Sequence, residues 1–322
     1  MNVKFGIIGA GFIADAFASD AVLTGKCKVV AVATRTLDKA KEFASKHDIS
    51  KYYDDYNKML EDDSIDAIYI ASPHVFHKEH TIAALKSKKA VLCEKPFAMN
   101  TNDAKDMLDT AREEDMLLME GMWSRFFPAY HKMKILLDEV GEIQFIKADF
   151  GFRSEELSDT NRLLNPELGG GALFDVGVYP ISIVRDIMGC DPIKIQCTQF
   201  LSDLGVDLMS SYNYTFKDGA LACLYSAIQV KTQTELFISG TKGTLHMPNF
   251  FCPEQLIYTR HNGYQEAYNY PKVGFGYTYE IGHFCDLFIK GKLESPIMSL
   301  SETMAIMNMM DQIQVKIGYL QK

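Results

Sequence analysis

The chain has 322 residues, 47% hydrophobic and 23% charged, which exceeds one average domain and leaves ample length for real cores. Its 33 basic and 42 acidic residues give a net charge of −9, and with no local basic patch such a surface repels phosphate backbones and excludes nucleic acid as a partner. Seven cysteines, odd in number, scattered and without a C-x-x-C pair, read as reduced thiols rather than as a disulfide framework or a zinc site.

Taken in order, the first third alternates strand and helix. Val3–Ile8 is a short apolar run, followed by a glycine turn and a helix through Leu23. Lys28–Ala33, Ile65–Ala71, Ala90–Glu94 and Leu117–Glu120 are further strands, with helices at Leu37–His47, His77–Ser87 and Asn102–Asp115 between them. Continuous apolar strands separated by helices of this length predict a doubly wound parallel sheet of the α/β Rossmann type. The boundary is expected near residues 120–125, giving a cofactor domain at 1–122 and a second domain at 123–322.

Beyond Trp123 the pattern changes. A helix is predicted at Pro128–Val140, a strand at Ile143–Arg153, a polar loop to Asn165, and a helix from Gly169-Gly170-Gly171 to Met188. In Ser211–Phe216 the residues Tyr212, Tyr214 and Phe216 alternate with polar neighbours, Lys217-Asp218-Gly219 turns the chain, and Leu221, Cys223 and Tyr225 alternate on the way back, which predicts a hairpin. Thr234–Ser239, Thr244–Met247 and Gln255–Thr259 add strands, and helices at Tyr279–Lys290 and Ser301–Gly318 close the chain. The second domain is therefore expected to be α+β, a large, mostly antiparallel sheet with helices on one face and the other face open to water or a partner subunit. No apolar run reaches the roughly 20 residues of a membrane helix. Met1–Lys4 leads straight into a strand, which leaves no space for a signal peptide. The expected location is cytoplasmic.

Two motifs carry chemistry. Gly9-Ala10-Gly11-Phe12-Ile13-Ala14 lies between a predicted strand and a predicted helix, the context in which a G-x-G-x-x-A pattern cradles a pyrophosphate at a helix N-terminus. At the end of the Lys28–Ala33 strand, where an NAD site usually places an acid for the ribose, the chain has Thr34 and Arg35, with Lys39 following. That favours NADP(H) over NAD(H), because Arg35 can fork onto a 2′-phosphate. Ser72, Pro73 and His74 end another strand at the ligand edge. His74, His77 and His80 lie at three-residue steps, which spread their side chains over too wide an arc for a metal set, and no metal is expected. Glu94-Lys95-Pro96 places a lysine at the same edge. Asp175 and Tyr179, four apart on the predicted helix, share a face. A phenol with an ordinary pKa near about 10 is too weak an acid to serve as a base until an adjacent ammonium favours its phenolate, and Lys95 could supply that charge. Asp175 would orient Lys95 or the substrate.

These motifs, with Ala71–His77, Gly169–Tyr179 and Ser239-Gly240-Thr241-Lys242-Gly243, resemble the Gfo/Idh/MocA oxidoreductase family across essentially the whole chain. Leu118–Pro128 and Phe251-Cys252-Pro253 resemble, more narrowly, its branch of dimeric dihydrodiol dehydrogenases and NADP-dependent D-xylose dehydrogenases. The resemblance implies a Rossmann domain, an open-faced sheet domain that dimerises through the exposed face, and hydride transfer on a sugar, polyol or cyclic diol carbon. It implies that Lys95 and Tyr179 are catalytic and that Trp123 and Arg125 lie near nicotinamide and substrate. Gln199–Asp207, with acids and no arginine, departs from that branch.

The expected cofactor contacts are Gly9, Gly11, Phe12, Ile13, Thr34, Arg35, Lys39, Ser72, Pro73, His74, His77, Glu94, Lys95, Trp123 and Arg125. The expected substrate contacts are Trp123, Phe152, Asp175 and Tyr179, with Asp175 joining Lys95 and Tyr179 in the catalytic set. Rival readings are a non-catalytic NAD(P) sensor of the same fold and a sugar–sugar oxidoreductase with a tightly held cofactor. Arg35→Ala is expected to weaken NADP binding about 10- to 100-fold, the loss of one charge-assisted phosphate contact, while leaving NAD nearly unchanged. Titration of both dinucleotides checks this, and equal losses would refute the assignment.

Overall fold

The structure is a computed structural model that describes residues 2–155 and 161–317. Part of the predicted polar loop before Asn165, and Gly318, lie outside the described residues. The chain divides into two compact units, residues 1–123 with 273–304, and residues 124–272 with 305–322.

The first unit is built on β1 (Val3–Ile8), β2 (Cys27–Ala33), β3 (Lys51–Tyr53), β4 (Ala67–Ile70), β5 (Ala90–Glu94) and β6 (Leu118–Gly121). They form one sheet in the order β3-β2-β1-β4-β5-β6, and every pairing is parallel. The helices are α1 (Phe12–Thr24), α2 (Leu37–Lys46), α3 (Tyr56–Leu60), α4 (His77–Lys86) and α5 (Thr101–Glu113). Strands β4, β5 and β6 are buried at every position, which is why their sequences are apolar rather than alternating except at Glu94 and Glu120. Phe17 of α1 stacks on Tyr69 of β4 with centroids 3.6 Å apart and meets Phe5 of β1 edge-on at 5.4 Å.

The first unit is not continuous in sequence, which differs from the expected boundary. Residues 273–304, with α8 (Thr278–Ile289), belong to it rather than to the second unit. Phe284 of α8 lies 5.4 Å from Phe5, and Leu118 N donates to Leu293 O at 3.1 Å. Buried Asp20 of α1 accepts from the backbone amides of Phe275 (2.9 Å) and Tyr277 (2.8 Å), so one carboxylate ties the returning segment to the cofactor helix. The last helix, α9 (Leu300–Ile317), starts in the first unit and ends in the second.

The second unit contains α6 (Pro128–Leu136), β7 (Ile143–Gly151), α7 (Val178–Met188), and strands β8 (Lys194–Leu201), β9 (Asp207–Thr215), β10 (Leu221–Ala227), β11 (Glu235–Gly240), β12 (Gly243–Pro248), β13 (Gln255–Arg260) and β14 (Gln265–Asn269). The sheet order is β14-β13-β12-β11-β7-β10-β9-β8. All pairings are antiparallel except β7 with β10. The predicted hairpin is present: Tyr212 faces Leu224 and Tyr214 faces Ala222, and Tyr212, Tyr214 and Phe216 are all buried. The other face carries half-buried Phe145, Tyr225, Phe237 and Ile257 around an ion cluster in which Lys147 meets Glu235 at 2.9 Å and His246 meets Glu235 at 2.8 Å.

Candidate active site

In the first unit the candidate residues gather at the carboxyl edge of the parallel sheet. The chain leaves β1 at Gly9 with φ +108°, and a Cβ there would sit 2.6 Å from Ala71 O at the end of β4. Only glycine fits a positive φ and so close a neighbouring backbone. Gly11 differs: its backbone is extended (φ −89°), and nothing lies within 4 Å of an added Cβ. Asp55 caps α3 and Asn100 caps α5 through side-chain oxygens, but Gly11 offers α1 no such cap. The first amides of α1 therefore face open space with the positive end of the helix dipole, which suits an anion. Ala14 is fully buried, and Phe12, 75% exposed, meets Phe275 edge-on at 6.5 Å. Ile13 is half-buried beside it.

At the end of β2, Thr34 is buried, and its hydroxyl donates to Thr36 O at 2.7 Å, while Arg35 and Lys39 lie exposed on the surface. The Arg35 charge favours ionisation of Tyr56, although burial of Tyr56 outweighs it and raises that phenol. No carboxylate follows β2 until Asp38.

The β4 and β5 exits are joined through a histidine. His77 is fully buried, with Nδ1 2.9 Å from Pro96 O and Nε2 2.9 Å from Ser72 O. Burial, reinforced by nearby His74, pushes its pKa down to about 3, and the two carbonyls pull the other way. His77 thus sits between the loop after Lys95 and the loop after β4, its neutral ring donating to one of the two carbonyls, and both ring nitrogens are turned to the protein rather than outwards. His80 Nδ1 lies 2.9 Å from Ser72 Oγ, and His74 is buried in a short 3₁₀ turn. The three histidines have separate occupations, and among the described residues no group of three or more His, Cys, Asp or Glu side chains is gathered as a metal could use it. Pro73 is exposed, Lys95 is half-buried, and the Lys95–Pro96 peptide is cis. Glu94 points inward, where it accepts the Tyr69 hydroxyl. Trp123 stacks on Tyr277 with centroids 4.7 Å apart.

The second unit carries its own candidate residues on its sheet-covering helix. The predicted single helix instead opens with a π-helical turn, Leu173–Gly177, before α7. Such wide turns recur at functional sites. Buried Asp207 fixes this one by accepting Leu173 N at 3.0 Å and the Ser210 hydroxyl at 2.6 Å. Gly177 allows it to sit against the sheet, since a Cβ there would lie 3.0 Å from the Tyr212 hydroxyl. Asp175 lies in the π turn, and its carboxylate takes Arg162 at 2.9 Å. Tyr179 begins α7, with its ring 5.4 Å from Phe150 and 6.1 Å from Phe251. Phe152 packs on a core cluster that includes Leu163, Val176 and Ile228.

Arg125, in the 3₁₀ turn after β6, is 1% exposed and donates to Ser182 Oγ (3.0 Å) and Ser182 O (2.7 Å), with Asp186 at 3.7 Å. A guanidinium held this way braces α7. Residues that the sequence reading overlooked are Tyr69, Phe150, Arg162, Phe275 and Tyr277. The glycines flanking Phe275 were a signal for an exposed turn, but nothing in sequence tied that turn to Phe12 or Trp123.

Two family models match the chain: the oxidoreductase family with an NAD-binding Rossmann fold over residues 3–122, and the GFO/IDH/MocA C-terminal domain over residues 130–246. The chain is 35% identical to the trans-1,2-dihydrobenzene-1,2-diol dehydrogenase of Xenopus tropicalis over 99% of both chains. It is 31% identical to the Homo sapiens protein of that name over 99% of this chain and 98% of that one. Among solved structures, a 3-ketoreductase from Actinomadura kijaniata in complex with NADP and TDP-benzene matches with a TM-score of 0.86 at 25% identity, covering 98% of each chain. The aldose-aldose oxidoreductase of Caulobacter crescentus shares the fold at a TM-score of 0.89 and 21% identity, covering 99% of this chain and 98% of that one. The chain belongs to the Gfo/Idh/MocA family of oxidoreductases, and it is an enzyme of that class.

The two glycines separate folding from binding. Gly9→Ala is expected to cost about 1–3 kcal/mol of stability, from a disfavoured φ and a backbone clash. Gly11→Ala is expected to leave unfolding unchanged while weakening dinucleotide binding about tenfold or more, because it fills the space before the α1 amides. Denaturant unfolding and cofactor titration on both variants check this, and a reversed pattern would overturn the reading of the turn.

Proposed function

We propose that this enzyme is an NADP-dependent dehydrogenase that moves hydride between nicotinamide and a hydroxyl or carbonyl carbon of a sugar, polyol or cyclic diol. The observation that carries the reading is the open, uncapped start of α1 on the same sheet edge as Lys95. The names of the relatives, dihydrodiol dehydrogenases at 30–35% identity, place cyclic diols first among the substrates to test.

The α1 amides would hold the pyrophosphate, Arg35 and Lys39 would hold the 2′-phosphate, and Trp123 would offer the nicotinamide an apolar surface. When bound, NADP supplies the hydride acceptor, and in the reverse direction NADPH the donor. Tyr179 takes the proton from the substrate hydroxyl as the carbonyl forms, or returns it in reduction. Its aromatic neighbours Phe150 and Phe251 keep water from the phenol. The Lys95 ammonium favours the phenolate, lowering the barrier to proton removal. Asp175, held by Arg162, accepts a hydrogen bond from a second substrate hydroxyl, the feature that distinguishes a diol or sugar from a simple alcohol. We also infer a homodimer formed through the open sheet face around Phe237 and Tyr225. Sedimentation should give twice the chain mass and Phe237→Glu should give the monomer, while a wild-type monomer would remove this part of the proposal.

The test of activity is an NADP-linked screen over cyclic diols, aldoses, inositols and dicarbonyls. With the best substrate, Lys95→Ala and Tyr179→Phe should each lower kcat about 10²- to 10⁴-fold, the usual range for a general acid–base group. If the two act as one unit, the double variant loses little more than either single one. Near-normal turnover in either variant, or fully multiplicative losses, would overturn the mechanism.

A further inference from the structure

Asp175 enters the proposed chemistry as an acceptor for a substrate hydroxyl, and the structure sets a donor directly beside it. Arg162 Nη2 donates to Asp175 Oδ1 at 2.9 Å, with the arginine side chain 54% exposed and the aspartate 15%. Among the described residues no other acceptor takes the guanidinium, so most of its N–H groups face solvent.

The loop that carries Arg162 is built closely onto the turn that carries Asp175. Leu163 and Leu164, next in the chain, are buried and belong to the same core cluster as Val176 and Ile228. Leu163 O accepts Gly171 N at 2.9 Å, and Gly171 O accepts Asp175 N at 3.2 Å, so one glycine joins the two backbones. Asn165 O accepts Gly170 N at 2.9 Å, and a Cβ on Gly170 would lie 2.6 Å from Leu163 O. These contacts hold the loop without the ion pair, which is too exposed to add much stability.

What the pair offers instead is a carboxylate that accepts and a guanidinium that donates, side by side. A simple alcohol brings only its reacting oxygen. A molecule with oxygens on adjacent carbons brings a second, and a hydroxyl there gives its proton to one partner while accepting from the other. We propose that Arg162 is a specificity-determining residue that donates to the substrate oxygen next to the reacting carbon, selecting vicinal diols and α-hydroxy carbonyl compounds. This rests on the reading of Asp175 as a substrate contact.

NADP-linked oxidation of trans-cyclohexane-1,2-diol, trans-2-methoxycyclohexanol and cyclohexanol separates the two contacts. The second oxygen of the diol both donates and accepts, that of the ether only accepts, and cyclohexanol has none. In the wild type kcat/KM is expected to fall in that order. Arg162→Ala should lower kcat/KM about 10- to 100-fold on the diol and the ether, the loss of one charge-assisted hydrogen bond. Cyclohexanol and the thermal midpoint should be unchanged, and Arg162→Lys, which keeps a charged donor, should lie between. Equal losses on all three compounds would make Arg162 a brace for the turn and overturn the proposal. So would a wild-type enzyme that oxidises the ether no better than cyclohexanol, although the dehydrogenase reading would stand. A wild-type enzyme that oxidises none of the three would refute the diol reading as well.

Discussion

Every strand of the first sheet runs in the same direction, and that single constraint organises the cofactor half of the enzyme. With all pairings parallel, the loops at Gly9–Gly11, Thr34–Thr36, Ala71–His74, Glu94–Pro96 and Trp123 all leave by one edge. The strand order reverses between β1 and β4, where a crevice opens because the connections depart in opposite directions. The molecule then locks these loops to one another. Gly9 touches Ala71, His77 ties Ser72 to Pro96, and Gly121 packs against Glu94. These loops are held by contacts as short as those of a core.

The second unit solves a different problem. Its sheet buries one face under α7 and the π turn and leaves the other half-buried, so the strands alternate where those of the first sheet do not. The parallel pairing of β7 with β10 lets β7 occupy the middle of an otherwise antiparallel sheet, between β10 and β11. From there Phe150, next to last in β7, meets the ring of Tyr179. Asp207 and Gly177 together hold the wide turn against the sheet, and the start of α7 follows from it.

What could be read from sequence follows from burial. The strands at Val3–Ile8, Ala90–Glu94 and Ser211–Phe216 announced themselves because burial writes a continuous or alternating apolar pattern. Lys51-Tyr52-Tyr53, Lys194–Leu201 and Gln265–Asn269 lie on the edges of their sheets and carry no such pattern, and they went unseen. The predicted strand start at Thr234 fails because that residue has φ +58°, which no strand accommodates. Glycine spacing pointed to the turn before α1 and proline spacing to Lys95, since both are local devices. The roles of Arg125 and Glu94 were not local. Each is decided by partners far along the chain, Ser182 for one and Tyr69 for the other, and no short pattern records such a pairing.

The two units also treat buried charge in different ways. In the second, Arg125 is enclosed but answered. Burial works against the Asp186 carboxylate, yet the charge of Arg125, the Tyr130 hydroxyl and Lys134 hold it below the ordinary carboxylate range. The physical effect of this network is to fix α7. In the first unit the enclosed acids are answered unevenly: Asp20 takes two backbone amides, Glu94 the Tyr69 hydroxyl and Glu120 the Thr303 hydroxyl, while neither oxygen of Glu280 has a hydrogen-bond partner. A core selected for stability alone would replace such acids with apolar side chains of similar volume, since an unpaired buried polar group costs about 1–3 kcal/mol or more. Glu280 is therefore not accounted for by what it contributes to the stability of the fold.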